Sequence, residues 1–172
     1  MPIPAYMSIE GESQGTITEG ANTEDSVGND YQEEHEDEFL VQEFEHQIMV
    51  PTNPQSGQPS GQRVHDNLVI TKVFDKCSPL LYNALVTGER LPTCTIRWFR
   101  TTNEGQEEHY FTHELEDAVI VRIKTIMPNA QDPSKAHLTH MEQISFRYRM
   151  ITWTHEVAGT EGTDDWRAKG AE

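Results

Sequence analysis

The sequence predicts an all-β fold: a small β-barrel of two antiparallel sheets with one flanking α-helix. Three observations lead there. Short apolar runs with period-two alternation recur from residue 39 to residue 154. A single segment, residues 78–88, carries both helix-start and helix-stop signals. Strands do not alternate with helical patterns, so nothing calls for a parallel sheet. The 172 residues suffice for one domain, 1–172, with a core of its own.

In chain order, residues 4–10 (PAYMSIE) read as a strand closed by Gly11. Residues 11–30, rich in Gly, Thr, Ser, Asn and acid, read as loop with a short strand near Gly15 to Thr18. Residues 33–38 (EEHEDE) pack like charges closely and are expected to be exposed. Phe39 to Val50 reads as one long strand ended by Pro51, with Leu40, Phe44, Ile48 and Val50 on one face and Glu43, Glu45 and Gln47 on the other. Residues 51–67 hold three Pro, two Gly, three Gln and two Ser without a core face, which predicts a long exposed loop or a splayed hairpin. Leu68 to Phe74 is a strand. In Ser78 to Gly88, Ser78 is the expected cap, Pro79 fits the first helical position and Gly88 the left-handed position past the end, with Leu81 and Leu85 on an apolar stripe. Strands follow at Thr93 to Thr101, His109 to Leu115 and Asp117 to Met127, the first two joined by a hairpin at Asn103 to Gln106. A polar loop, 128–140, leads to a closing strand, His140 to Glu156, and residues 157–172 read as a partly ordered tail containing Trp166.

Charge narrows the function. The formal charge is −16, and residues 1–50 hold thirteen acidic residues and no Lys or Arg. Such a surface repels nucleic acid and anionic lipid, so neither is expected as a partner. The amino-terminal residues lack the basic and apolar regions of a secretory signal, and no apolar stretch approaches a membrane span. The chain is expected to be made in the cytoplasm and, if it leaves the cell, to do so without the general export route.

Little in the sequence points to catalysis, and no catalytic residue, cofactor or metal is expected. The nucleophile-elbow, HExxH, Walker and dinucleotide-turn motifs are absent. His109 and His113 lie about 13 Å apart if their segment is a strand, too far for one ion. His137 and His140 form an HxxH pair in a loop, read as ordinary surface histidines. Cys77 and Cys94 match no zinc spacing and read as free thiols, with a bridge between them left open.

Several segments together are similar to one family. IPAYMSIEG, VPTNPQSGQPSGQRVH, TKVFDKCSPLLYNALVTGE and YRMITWTHE with the later DDW resemble the haemolysin-coregulated protein (Hcp) family of the type VI secretion system, over residues 2–167. The resemblance implies a β-barrel protomer, hexameric rings stacked into a tube within a contractile sheath, a VgrG-type spike at the tip, and small effectors in the lumen. In the long loop, Asn53, Gln55, Gln58 and Gln62 offer amides that donate and accept. Arg63 and His65, which follow a long stretch without Lys or Arg, are natural partners for an acid on the next ring. These six residues are the expected stacking contacts. Two other readings stand beside this one: a free-ring effector chaperone, and a cupin-like ligand-binding or metal-enzyme barrel, which lacks a ligand set.

Overall fold

The computed structural model describes residues 4–30 and 33–165; Trp166 and the end of the expected tail lie outside the described residues. Among the described residues there are twelve strands, two α-helices and three short 3-10 turns. The first sheet is built on β1 (Ala5–Gly11), which pairs on one side with β2 (Gly15–Thr16) and β3 (Phe39–Val41), and on the other with β8 (Leu91–Thr101). Strand β8 pairs with β9 (Glu107–Ile126). The second sheet runs from the far half of β9 through β10 (Met141–Arg147) and β7 (Leu68–Val73) to β4 (Glu43–Glu45). All pairings are antiparallel.

Two segments close the barrel by belonging to both sheets. Residues 107–126 form one strand, where the sequence predicted two, 109–115 and 117–127. The chain stays extended but turns sharply at Asp117, whose φ of 52° is in the left-handed region. Its carboxylate accepts from Arg90 and lies 3.5 Å from Arg149, which holds the bend from both sides. Bulges at Trp98/Phe99 and Ser145/Phe146 absorb the register changes.

The opposite seam corrects the reading of 39–50. That segment is three short strands with three different partners: β3 with β1, β4 with β7, and β5 (Ile48–Met49) with β6 (Val64–His65). The buried residues are Phe39 and Val41, while Leu40, Ile48 and Val50 are exposed, so the predicted face is reversed at its start and solvated at its end. Between β3 and β4 the Gln42 amide bonds to the Thr71 carbonyl, and the chain changes sheets there.

The closing segment is likewise two strands, β10 and β11 (Met150–His155), interrupted at Tyr148 and Arg149. Both run along the same edge of β9. Part of the expected tail is a strand, β12 (Thr160–Asp165), paired along β11. Among the described residues its other edge has no partner strand.

Helix α2 (Ser78–Thr87) matches the predicted span, and Gly88 at φ 67° lets the Glu89 amide reach the Ala84 carbonyl at 2.9 Å. Its amino end differs from expectation. Cys77 is the cap residue, and Ser78 is turned inward, donating to Glu142 at 2.6 Å. A one-turn helix, α1 (Glu24–Val27), lies in the stretch predicted as loop. The core between the sheets is formed by Met7, Ile9, Leu68, Ile70, Ile96, Leu115, Ile144 and Phe146, with Leu81 and Ala84 of α2 against it. Cys77 and Cys94 are both buried and unpaired, and burial pushes both thiols up.

Candidate assembly surface

Strands β5 and β6 form a separate two-stranded ribbon that carries the polar loop away from the barrel. Residues 52–62 are exposed throughout, including Asn53, Gln55, Gln58 and Gln62. The loop is nonetheless ordered by its own polar groups. The Asn53 amide bonds to the Gln58 carbonyl and the Gly57 amide to the Asn53 carbonyl, each at 2.8 Å. The Asn53 side chain accepts from the Gln55 amide at 2.9 Å. Gly57, at φ 71°, supplies the left-handed residue this tip requires. Thr52 and Pro59 make an isolated bridge across the arm. The result is a hairpin-like arm whose side-chain amides face outward.

The root of the arm is held by charge. Arg63 grips Asp164 of β12 with two parallel bonds of 2.7 and 2.8 Å, a bidentate geometry. Those bonds, with help from His65, hold the Asp164 carboxyl below the usual carboxylate range. His65 is buried and lies 2.6 Å from Asp164 through Nε2 and 2.6 Å from the Tyr148 hydroxyl through Nδ1. His46 Nε2 is 2.8 Å from the same hydroxyl. One assignment satisfies the chain in a single direction. His46 Nε2–H donates to Tyr148, the Tyr148 hydroxyl donates to His65 Nδ1, and His65 Nε2–H donates to Asp164. Arg147 adds a bond of 2.7 Å to the His65 carbonyl.

The six expected contact residues therefore divide. The structure leaves the four amides exposed on the arm, Asn53 also bonding to the Gln55 backbone, whereas Arg63 and His65 are engaged with Asp164 and Tyr148. Sequence reasoning missed this because Asp164 is 101 residues from Arg63. Replacing Arg63 with Ala is expected to loosen the root while sparing the barrel, since Arg63 contributes no core contact. The check is limited proteolysis: cleavage within 51–67 accelerates while the global melting curve stays put.

The histidine pairs are engaged elsewhere. His109 bonds to Thr112 at 2.7 Å, His113 accepts from the Trp98 indole at 2.8 Å, and the His140 ring lies over Phe74. Trp98 and Trp153 pack against the core.

Barrel, flanking helix and projecting arm together define a class: small two-sheet β-barrels with one flanking helix and a projecting polar arm. The family described as Type VI secretion system effector, Hcp, matches residues 6–155. A Pseudomonas aeruginosa PAO1 protein named major exported protein is 62% identical over 168 residues, covering 98% of each chain. Among solved structures, an Hcp protein superposes with a TM-score of 0.93 at 52% identity, covering 98% of this chain and all of the other. The secreted protein Hcp3 from Pseudomonas aeruginosa does so at 0.83 and 54% identity, covering 97% of this chain and 100% of that one. The chain belongs to the Hcp family. It is a secreted structural protein of the type VI machine, and the cupin-like enzyme reading is not favoured.

Proposed function

We propose that copies of this chain close into hexameric rings and that the rings stack, through the arm, into the tube of a type VI secretion system. The carrying observation is the arm itself: an ordered hairpin, exposed over residues 52–62, that carries amide side chains and is rooted on β12 through Arg63. An ordered polar projection of this kind suits docking, because its conformational entropy is already spent before a partner arrives.

The ring rests on strand edges. The outer edge of β12 is open, and β8 pairs with β9 only as far as Ala118, leaving the same side of 119–126 without a strand partner among the described residues. These two edges are dissimilar, which favours a head-to-tail contact, and such contacts close into rings when the rotation permits. Ile48, Met49, Val50 and Val64 at the arm's root add an exposed apolar patch for a neighbouring copy to cover. In this reading the finished tube sits within a contractile sheath, carries a VgrG-type spike, and holds small effectors in its lumen. It is assembled in the cytoplasm and then expelled.

Light scattering is expected to give the mass of six protomers, and deletion of residues 55–61 to leave those rings intact while removing tubes from electron micrographs. A strictly monomeric protein at high concentration would refute the ring, and tubes unchanged by the deletion would refute the arm's role.

A further inference from the structure

The acidic segment 33–38 contributes to a cluster that the assembly reading does not use. His35, in the 3-10 turn Glu33–His35, is 6% exposed although it lies in the most acidic stretch of the chain. Its ring is clamped by aromatic contacts. Tyr6 stacks on it at 3.7 Å and an interplanar angle of 11°, and Phe99 meets it edge-on at 5.0 Å. Its Nδ1 lies 3.2 Å from Glu38, whose carboxylate is fixed in turn by two bonds from Arg97. The orientation of the imidazole is thus set from behind by a carboxylate, as it is for ligating histidines.

The other nitrogen, Nε2, points at Glu107 at the start of β9, 3.4 Å from its Oε2. That is beyond the 2.7–3.2 Å of an N–H···O bond. A buried ring nitrogen is therefore aimed at a carboxylate across a long contact rather than a short bond. Two ligands about 2.1 Å from a tetrahedral ion stand roughly 3.4 Å apart, so the spacing is that of two donors sharing a metal. Glu34 completes the set, and ligand atoms of Glu34, His35 and Glu107 all lie within 4.8 Å of one another. Among the described residues no other group of three or more His, Cys, Asp or Glu does this. The local field also favours a cation. Besides burial, Glu107, Glu38 and Glu34 all raise the Tyr6 hydroxyl, and Arg97 is the one arginine bonded into the cluster.

We propose that Glu34, His35 and Glu107 bind a divalent transition-metal ion, zinc by donor type, with Glu38 as the positioning residue behind His35. One imidazole and two carboxylates leave a fourth position open to water. The ion ties the acidic turn to the base of the β8–β9 hairpin and offsets part of the negative charge of the first fifty residues.

The test is competition of the full chain against a chromogenic chelator for Zn2+, with Mg2+ as control. Wild type is expected to bind one zinc per chain, and Glu107→Gln or Glu34→Gln, both at exposed positions, to weaken binding by about tenfold or more, the scale seen even for outer-shell partners. His137→Ala with His140→Ala is expected to change nothing. With Co2+ in place of zinc, thiolate charge-transfer bands should be missing, since Cys77 and Cys94 are elsewhere. No zinc binding above that of Mg2+, or binding that survives both glutamine variants, would overturn the site.

Discussion

Replacing Lys72 with Met is expected to destabilise the protomer by about 3–5 kcal/mol, the cost of stranding a buried charge. Lys72 on β7 and Glu142 on β10 are both fully buried and lie 2.5 Å apart. Asp75 is 3.0 Å from the same ammonium, which also donates to the Val73 carbonyl and the Ser78 hydroxyl. Burial alone would disfavour the Lys72 charge, but the surrounding Cys77, Asp75 and Glu142 groups hold its pKa above the ordinary lysine value. With the ammonium gone, two buried carboxylates face each other, and the remaining bond to Glu142 comes from Ser78, because Glu142 Oε2 has no partner of its own. The effect exceeds the ~1.5–3 kcal/mol available from burying one Leu or Ile side chain. Urea unfolding provides the measurement. The double variant Lys72→Met, Glu142→Leu is expected to recover only part of the loss, since Asp75 stays buried without the ammonium, and adding Asp75→Asn to recover most of it, since a buried ionic group replaced as a whole by neutral groups is often neutral in stability. A Lys72→Met protein as stable as wild type would show that the pair does not organise the junction of β7, β10 and α2.

That junction shows where the sequence was legible. Helix α2 was readable because its signals are local: Pro79 near the start, Gly88 past the end, and Leu81 and Leu85 on one stripe. The inward turn of Ser78 was not, because its partner Glu142 is 64 residues away. The same distinction explains the strands. Alternation identifies extended backbone and its two faces but does not say which neighbour each stretch will pair with. Residues 39–45 alternate smoothly while changing sheets at Gln42, and residues 107–126 pass from one sheet to the other through Asp117. Strand β12 was invisible for another reason. Thr160 to Asp165 is polar and largely exposed, so it carries no hydrophobic signature; backbone pairing to β11 and the grip of Arg63 on Asp164 hold it in place.

The candidate surface divides along the same line. Composition alone marked residues 51–67 as a long exposed loop or splayed hairpin, and their solvation follows directly from having no apolar face. The fixed direction of that loop depends on Arg63, His65, Tyr148 and Asp164, which meet only in the folded chain. A sequence rich in Gly, Pro and Gln describes a flexible segment; the ion pair and the histidine chain at its root convert it into an arm that presents its amides at a set angle.

Acid is expected to undo that arrangement well above the pH at which ordinary carboxylates titrate. Burial, reinforced by the nearby charge of His65, lowers the His46 pKa to about 4, and burial with the charge of His46 does the same to His113, also to about 4. Both rings flank Phe44, His46 at 6.5 Å and His113 at 5.2 Å between centroids. In the unfolded chain each titrates near 6.5. Above that value both states are neutral and neither histidine opposes folding. Below it the unfolded chain takes up protons that the folded chain refuses, so stability falls as pH drops from about 6.5 to about 4, by up to about 1.4 kcal/mol per pH unit for each ring. Because both side chains keep some solvent contact, a combined loss of about 3–5 kcal/mol across that window is the expected size. Urea midpoints at pH 7.5, 6.0 and 5.0 measure it. His113→Gln, whose amide oxygen can still accept from the Trp98 indole, should remove about half of the slope without changing stability at pH 7.5. Midpoints that stay level between pH 7.5 and 5.0 would mean that these rings take up protons freely in the folded chain, and that the contacts around Phe44 and Tyr148 do not hold them neutral.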